Sequence, residues 1–323
     1  MTIDPIDLIK PLGARAKLRF ALRGGQLVRR ALRCLATAPS ALGSAGRATL
    51  QQVWSRRLLA HLQVELEGIG IDRLPPTPHV IVALHESLID PLCLLSLGAG
   101  LRFVARNEAF DWPLAGPALR RMQHVAIDPE NGASAYRGLL SAGAAAVRDG
   151  EHLAIFAQGT VLGVEAALRP GAFHVARKFG LGVVPIAVAG THRVWEHPFS
   201  GRLRYGQRVR LTVLPVVSAA QVAAARDLET LRLRVSADLK SAALCAGGPP
   251  ARRFDPDADG FWDGFAFEID PQFDAVRRRV QQHRAERLAA RRQDPQLRGA
   301  AASSRFAIAR RPSTVIRHTA ANR

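Results

Sequence analysis

Short apolar runs alternate with longer helical stretches from residue 61 onward. The apolar runs predict six strands: Val80–Leu84, Leu101–Ala105, His124–Ile127, Leu153–Phe156, Val183–Val188 and Val209–Leu214. Between them, helices are predicted near 87–99, 113–122, 133–148, 168–179 and 219–241. Strands that alternate with helices in this way indicate an α/β domain with a largely parallel sheet flanked by helices.

The segment before residue 61 is patterned differently. At about 100° per residue, residues 12–35 separate into an apolar side and a basic side of a helix. The apolar side holds Phe20, Leu27, Val28, Ala31, Leu32 and Leu35, and the basic side holds Arg15, Arg19, Arg23, Arg29, Arg30 and Arg33. This is the pattern of a basic amphipathic helix, which Gly24-Gly25 should bend or split. Two interpretations stay open: the apolar side packs on the domain, or it lies on a membrane surface.

Positive charge is concentrated at the two ends of the chain. The formal net charge is +18, from 45 Lys and Arg against 27 Asp and Glu. Residues 1–60 carry 11 basic and two acidic side chains, and residues 276–323 carry 13 and two, so the middle of the chain is close to neutral. This distribution argues against a uniformly basic nucleic-acid-binding protein. It favours ends that face an anionic partner, either a membrane surface or nucleic acid.

The same patterns divide the chain into three parts. Residues 1–60 are predicted to form a basic amphipathic arm at the membrane surface, and residues 61–245 the α/β domain. The Ala-Gly-Gly-Pro-Pro run at 246–250 then breaks the helical pattern. Residues 246–323 are predicted to form an ordered strap across the domain, over 254–273, and a basic, partly disordered tail.

Several classes of protein do not fit this sequence. No apolar run approaches the ~18–20 residues of a spanning helix, and no secretory signal is evident, so we expect a cytoplasmic protein. Cys34, Cys93 and Cys245 lack the spacing of a disulfide framework or a zinc site. The acidic stretch at 255–260 lacks the closing Glu of a calcium loop. We therefore expect no metal site.

The sharpest candidate chemistry follows the first predicted strand. His85 stands directly at the strand end, where a histidine can act as a general base, and Asp90 stands five residues later. A carboxylate folded back onto the other ring nitrogen would fix the tautomer and stabilise the imidazolium. Alternatively, Asp90 caps a helix that has Pro91 in its first turn, and His85 is only a polar strand end. The spacing alone leaves both interpretations open.

Several segments, in this order, resemble the PlsC-like glycerolipid acyltransferases. His85 and Asp90 match the family's H-x-x-x-x-D motif after a strand. Residues 103–108, FVARNE, are similar to its strand followed by a basic residue. Residues 156–161, FAQGTV, are similar to its F-P-E-G-T-R turn, and residues 169–186 to the helix and V-P strand that follow. As an ordered set these segments cover most of the predicted α/β domain.

The resemblance implies an O-acyltransferase that needs no cofactor. His85 would take the proton from an acceptor hydroxyl as its oxygen attacks the thioester carbonyl of acyl-CoA or acyl-carrier protein, and Asp90 would orient His85. Backbone N–H groups around Gly159 and Thr160 would stabilise the oxyanion. The residues implied in substrate binding are Arg106, Gln158, Gly159, Thr160 and Arg169.

The same resemblance implies partners and a location. The implied partners are the acyl donor, a lysolipid acceptor, which by default is 1-acylglycerol-3-phosphate, and a membrane lipid surface, with no nucleic acid. We expect a peripheral protein at the inner face of the cell membrane.

Three positions depart from the family pattern. Gln158 and Val161 stand where the family has Glu and Arg, and Pro129 stands where it usually has Arg. Positions that commonly supply positive charge for the acceptor's phosphate are therefore neutral. Two alternatives follow: the same chemistry on a lysolipid or glycolipid without a phosphomonoester, or a non-catalytic membrane or nucleic-acid binding protein on a decayed acyltransferase domain.

Overall fold

A computed structural model describes residues 14–129, 131–161, 163–195, 203–245 and 267–293, with the side chains of the first helix described from Leu22 onward. The helices are α1 (Ala14–Ala36), α2 (Ser44–His61), α3 (Asp90–Leu95), α4 (Asn107–Asp111), α5 (Ala115–Arg121), α6 (Gly132–Asp149), α7 (Gly171–Lys178), α8 (Thr191–Val194), α9 (Ala219–Ala224), α10 (Leu228–Leu244) and α11 (Asp274–Gln293). The strands are β1 (Glu65–Ile69), β2 (Val80–Ala83), β3 (Leu101–Arg106), β4 (Val125–Ile127), β5 (His152–Phe156), β6 (Val183–Ala189) and β7 (Arg208–Val213).

The seven strands form one sheet in the order β1-β7-β6-β2-β5-β3-β4. Every neighbouring pair is parallel except β6 and β7, which are antiparallel. This confirms the predicted α/β fold with a largely parallel sheet. Because β5, β2 and β6 are adjacent and parallel, their carboxyl ends meet at one edge of the sheet, where ligand groups gather in such folds.

Strand β1 and the helix predicted over 219–241 are among the differences from the sequence prediction. Strand β1 was not predicted, because it is an edge strand whose residues are only partly buried and its pattern is correspondingly weak. The helix predicted over 219–241 is two helices, α9 and α10. Asp227 separates them, because its carboxylate accepts hydrogen bonds from the amides of Glu229 and Thr230 and so begins α10.

The central strand β2 is buried along its whole length, which explains its continuous apolar sequence. Val80 and Val82 face a core built with α6, α7 and α10. Ile81 and Ala83 face a second core built with α2 and α3. The helices therefore cover both faces of the sheet and leave its carboxyl edge for the polar turns.

A buried cluster of charges at the amino edge of the sheet ties α2 to the domain. Arg47 on α2 donates to Glu151 Oε1 at 2.6 Å, and Arg102 donates to Glu151 Oε2 at 2.8 Å and to Asp149 at 2.6 Å. Buried ion pairs of this kind are destabilising to break, because the remaining charge is left without a partner. Helix α2 therefore packs on the domain, while the membrane-surface role expected of residues 1–60 stays a prediction.

Helix α1 is one unbroken helix despite Gly24-Gly25. Gly24 permits close packing, because a Cβ there would lie 2.7 Å from His61 Nε2 on α2. Ala31 is buried, while Leu22 and Val28 are exposed. The arginines whose side chains the structure describes, Arg23, Arg29, Arg30 and Arg33, are exposed. The helix thus packs partly on the domain, and the predicted positions of Phe20, Arg15 and Arg19 lie outside the described side chains.

No helix within the described residues is long and apolar enough to cross a membrane. Of the predicted strap and tail, the structure describes residues 267–293. Residues 267–270 lie against the loop after β5, with Ile269 in an antiparallel bridge to Ala166. Helix α11 follows. The predicted strap over 254–266 and the predicted disorder of the tail lie outside the described residues.

Two histidines near the amino edge of the sheet predict acid sensitivity. Burial and the charges of Arg102 and Arg47 lower the pKa of His124 to about 3, and burial lowers the pKa of His152 to about 4. Each Nδ1 accepts a backbone hydrogen bond, from Phe103 N at 3.1 Å and from His79 N at 3.2 Å respectively. Protonation would remove both acceptors.

The unfolded chain therefore binds up to two more protons than the folded chain between the ordinary histidine pKa near 6.5 and about pH 4. The free energy of unfolding should fall as the pH falls through this window, by up to about 2.7 kcal/mol per pH unit. Urea unfolding at pH 7.5, 6.5 and 5.5 measures this slope. A free energy of unfolding that stays constant between pH 7.5 and 5.5 would contradict the assignment.

Candidate active site

The turn between β2 and α3 brings His85 and Asp90 together. His85 Nδ1 lies 2.6 Å from Asp90 Oδ2. The imidazole is 13% exposed, whereas the carboxylate is fully buried. The Asp90 carboxylate accepts from the amides of Glu86 and Ser87, at 2.7 and 2.9 Å, and these residues precede the helix. Asp90 therefore organises the turn around His85.

Hydrogen bonds hold the Asp90 carboxylate through both of its oxygens. Its second oxygen, Oδ1, accepts a hydrogen bond from the hydroxyl of Thr191, which lies in the turn after β6. With Nδ1–H donating to Asp90, the opposite ring nitrogen, Nε2, carries the lone pair that a general base needs. The fixed carboxylate would stabilise an imidazolium formed there.

Aromatic stacking holds the plane of the imidazole. The rings of His85 and Phe156 stack with centroids 4.0 Å apart and an interplanar angle of 15°. Phe156 in turn stacks with Phe103, with centroids 5.6 Å apart. Because Phe156 ends β5 and Phe103 lies on β3, the sheet itself sets the position of the His85 ring.

The Gln158 side chain contacts the main chain of His85. Its Oε1 accepts from the amide of His85 at 2.8 Å, and its Nε2 donates to the carbonyls of Ala166, at 3.1 Å, and Gly163. Its side chain is almost fully buried, with 1% exposed. In this structure Gln158 positions the main chain of His85, and its expected role in substrate binding stays a prediction.

The glycine-threonine turn follows β5 at the same edge. Gly159 has φ +70°, in the left-handed region that favours glycine, and its amide donates to Phe156 O at 3.0 Å. That amide closes the turn, and the expected role of the Gly159-Thr160 turn in binding substrate or the oxyanion stays a prediction. Thr160 is buried.

Two predicted phosphate-binding arginines lie near this turn. Arg106 ends β3 and its Nη2 lies 3.4 Å from Glu108 Oε1. Arg169 donates to Pro129 O at 2.9 Å, and a Cβ on Gly159 would lie 3.1 Å from its Nε. Since β5 separates β2 from β3, both arginines lie on the β3 side of His85.

A second histidine–carboxylate pair lies on the β6 side. His192 Nδ1 is 2.9 Å from Glu86 Oε2, which also accepts from the amide of Gly190 at 3.1 Å. Glu86 is buried. The sequence analysis gave no role to Glu86 or Thr191. One signal for a role of Glu86 was available, because this acidic residue directly follows the candidate base His85.

Known proteins share this arrangement of sheet and motifs. The Acyltransferase family model matches residues 65–189. A chloroplastic 1-acyl-sn-glycerol-3-phosphate acyltransferase of Arabidopsis thaliana is 31% identical over 42% of this chain and 39% of its own length. The crystal structure of PlsC, the 1-acyl-sn-glycerophosphate acyltransferase of Thermotoga maritima, matches with a TM-score of 0.51 at 20% identity, over 71% of this chain and 90% of that chain. These similarities support a PlsC-like acyltransferase domain over residues 65–189.

A 1-acyl-sn-glycerol-3-phosphate acyltransferase of Pseudomonas aeruginosa is 26% identical over 52% of this chain and 64% of its own length. The chain thus spans 39% and 64% of these two curated relatives. The likeness to the Thermotoga protein supports the fold.

The departures from the PlsC-like pattern have a structural explanation. At position 158 only an amide can both accept from His85 and donate to two carbonyls, and a carboxylate lacks the donors. Val161 is buried in an apolar cluster with Ala166 and Phe267, so this position faces the protein interior. Neither position contributes charge to the open edge of the sheet. Within the described residues, no group of three or more His, Cys, Asp or Glu side chains could hold a metal ion.

Proposed function

We propose that this protein is an O-acyltransferase that moves a fatty acyl group from acyl-CoA or acyl-carrier protein to the hydroxyl of a lysophospholipid, by default 1-acylglycerol-3-phosphate. The observation that carries this proposal is the hydrogen-bonded His85–Asp90 pair at the carboxyl edge of the sheet. Similarity to the PlsC-like acyltransferases supports it, since the Arabidopsis and Pseudomonas relatives are named as 1-acyl-sn-glycerol-3-phosphate acyltransferases.

The chemistry needs one base and no cofactor. His85 Nε2 takes the proton of the acceptor hydroxyl as that oxygen bonds to the thioester carbonyl carbon. The tetrahedral intermediate then expels the thiolate, which takes the proton back from the imidazolium. Asp90 holds the ring and stabilises its positive charge while it exists. The products are the ester and the free thiol of the donor.

The acceptor is the open part of this proposal. Arg106 and Arg169 are candidates to bind an acceptor phosphate, by charge-assisted hydrogen bonds. A second acceptor class, lysolipids or glycolipids without a phosphomonoester, is favoured by the burial of Val161, where the family motif carries an arginine. Purified protein incubated with labelled acyl-CoA and a panel of both acceptor classes tests the choice.

Arg106→Ala should discriminate between the acceptors. If Arg106 binds phosphate, the substitution raises KM for 1-acylglycerol-3-phosphate by about tenfold or more, because a charge-assisted contact of about 1.5–3 kcal/mol is lost. KM for a phosphate-free acceptor should change by less than about twofold. Arg234→Ala, an exposed arginine on α10, is the matched control. Equal effects on both acceptor classes would remove Arg106 from the site.

We also propose that α1 holds the protein at a membrane surface, on the cytoplasmic side. Replacing Arg23, Arg29, Arg30 and Arg33 with Gln should weaken cosedimentation with anionic vesicles, since each charge near such a surface contributes about 1 kcal/mol. Added salt should weaken binding of the unmodified protein in the same way.

The basic residues of α11 offer a matched control for this experiment. Replacing Arg277, Arg278 and Arg279 with Gln removes a similar charge from the other end of the chain. If this variant loses vesicle binding while the α1 variant keeps it, the membrane contact belongs to the carboxyl-terminal segment. Salt-sensitive binding to duplex DNA without acyl transfer would favour the non-catalytic alternative.

A further inference from the structure

The loop that supports the base is covered by a segment from the far end of the chain. Residues 267–270 belong to the predicted strap over 254–273, and from here on the name strap refers to these four residues. They lie along residues 163–168, here called the support loop. The amide of Ala167 donates to Glu268 O at 2.8 Å, and the amide of Asp270 donates to Glu165 O at 2.8 Å. Phe267 and Ile269 are buried on the support loop together with Ala166. Strap and support loop therefore form one packed unit.

The support loop fixes the main chain of His85 on both sides. Gly163 donates its amide to His85 O at 3.0 Å, and Gln158 accepts from the amide of His85 at 2.8 Å. Gln158 is itself held by the carbonyls of Gly163 and Ala166. A shift of the support loop would therefore move the backbone of the base.

A buried ion pair anchors the strap to α10. Asp270 Oδ2 accepts from Lys240 Nζ and from the hydroxyl of Ser236, and its Oδ1 accepts from the amide of Gln272 at 3.1 Å. The Lys240 side chain is 1% exposed. Removing either partner leaves the other charge buried without its direct ion-pair partner, so the pair strongly specifies where the strap lies.

We propose that Lys240 and Asp270 are positioning residues for catalysis, which act on His85 through the strap, the support loop and Gln158. The carboxyl-terminal segment is then part of the active-site scaffold, although it lies outside the region 65–189 that the family model matches. The inference rests on the proposed acyl transfer for its kinetic test, and amide exchange tests it independently of activity.

The kinetic test compares Asp270→Asn with Glu151→Gln. Glu151 belongs to the buried charge cluster at the opposite edge of the sheet, so its substitution destabilises the fold without touching the support loop. At a temperature where both variants are folded, we expect Asp270→Asn to lower kcat by about tenfold or more with KM changed less than about twofold, because the geometry of the base and not substrate binding is altered. Glu151→Gln should keep kcat. Equal kcat for the two variants would overturn the inference.

A double-mutant cycle tests the route of the effect. Gln158→Ala removes the side-chain link between the support loop and His85 and leaves only the Gly163 amide bond, so Asp270→Asn should lower kcat less in this background than in the wild type. Fully additive effects would show that the strap acts by another route and would overturn the inference.

Hydrogen exchange tests the inference even when Gln158→Ala does not fold or no acyl transfer is found. Exchange of the His85 and Gly163 amides, followed by mass spectrometry, should accelerate in Asp270→Asn and not in Glu151→Gln. Unchanged exchange at these two amides would overturn the inference. An inactive wild-type protein in which the two amides still respond to Asp270→Asn would contradict the proposed function and leave the positioning role standing.

Discussion

Gln158→Glu is expected to destabilise the folded protein by about 2–4 kcal/mol at pH 8, although the related family motif carries Glu at this position. A carboxylate there has no hydrogen to donate, so it would face the carbonyl oxygens of Gly163 and Ala166 while fully buried. The loss should include most acyl transfer, because the amide of His85 depends on the same side chain.

The destabilisation of this variant should depend on pH. Burial beside two carbonyls favours the neutral acid, so the pKa of the introduced Glu would be raised above its ordinary value near 4.3. The penalty is therefore small below about pH 4.3 and grows as the pH rises above it. Urea unfolding of the variant and of Gln158→Met at pH 5.5 and pH 8 measures this difference. A variant as stable as the wild type at pH 8, or a penalty independent of pH, would refute the hydrogen-bond assignment.

His85→Ala is expected to lower kcat by about 10²–10⁴-fold while leaving the protein folded. The imidazole is partly exposed, and the contacts of His85 with Gln158 and Gly163 are made by its main chain, which alanine keeps. Asp90→Asn should lower kcat less if Asp90 only orients the ring, but it should also lower stability, because the buried carboxylate accepts four hydrogen bonds.

His192→Ala is the matched comparison for the base. His192 also follows a strand and is also hydrogen-bonded to a carboxylate. If kcat fell merely because a polar side chain after a strand was lost, both variants would lose the same amount of kcat. We expect a smaller loss of kcat for His192→Ala than for His85→Ala. The opposite order would assign the base to His192.

Much of the fold, and His85 as the candidate base, could be predicted from the sequence because the signals are local. The buried strands read as continuous apolar runs, and His85 follows one of them directly. The His85–Asp90 contact was left open by spacing, since five helical residues do not return to one face. The turn before α3 resolves it, because Asp90 accepts from Glu86 and Ser87 and so bends the chain back.

The support of the base could not be predicted because it depends on contacts between distant segments. Thr191 contacts Asp90 across 101 positions of the sequence, and the strap contacts the support loop across a similar number of positions. Gln158 looked like a substrate ligand because its position in the motif is polar and its burial is set only by the tertiary fold. The attachment of α2 to the domain could not be predicted for the same reason, since the Arg47–Glu151 pair is long-range.

The most direct test of the central claim is product formation by the wild type and His85→Ala side by side. Purified proteins are incubated with radiolabelled acyl-CoA, or labelled acyl-carrier protein, and 1-acylglycerol-3-phosphate on anionic vesicles, and the lipids are separated. The wild type should form labelled diacylglycerol phosphate, or the acylated phosphate-free lysolipid when that acceptor is supplied, and His85→Ala should form at least about 100-fold less. Equal product from both proteins, or no acylated product with any acceptor and either donor, would contradict the assignment of His85 as the base of an acyl transfer.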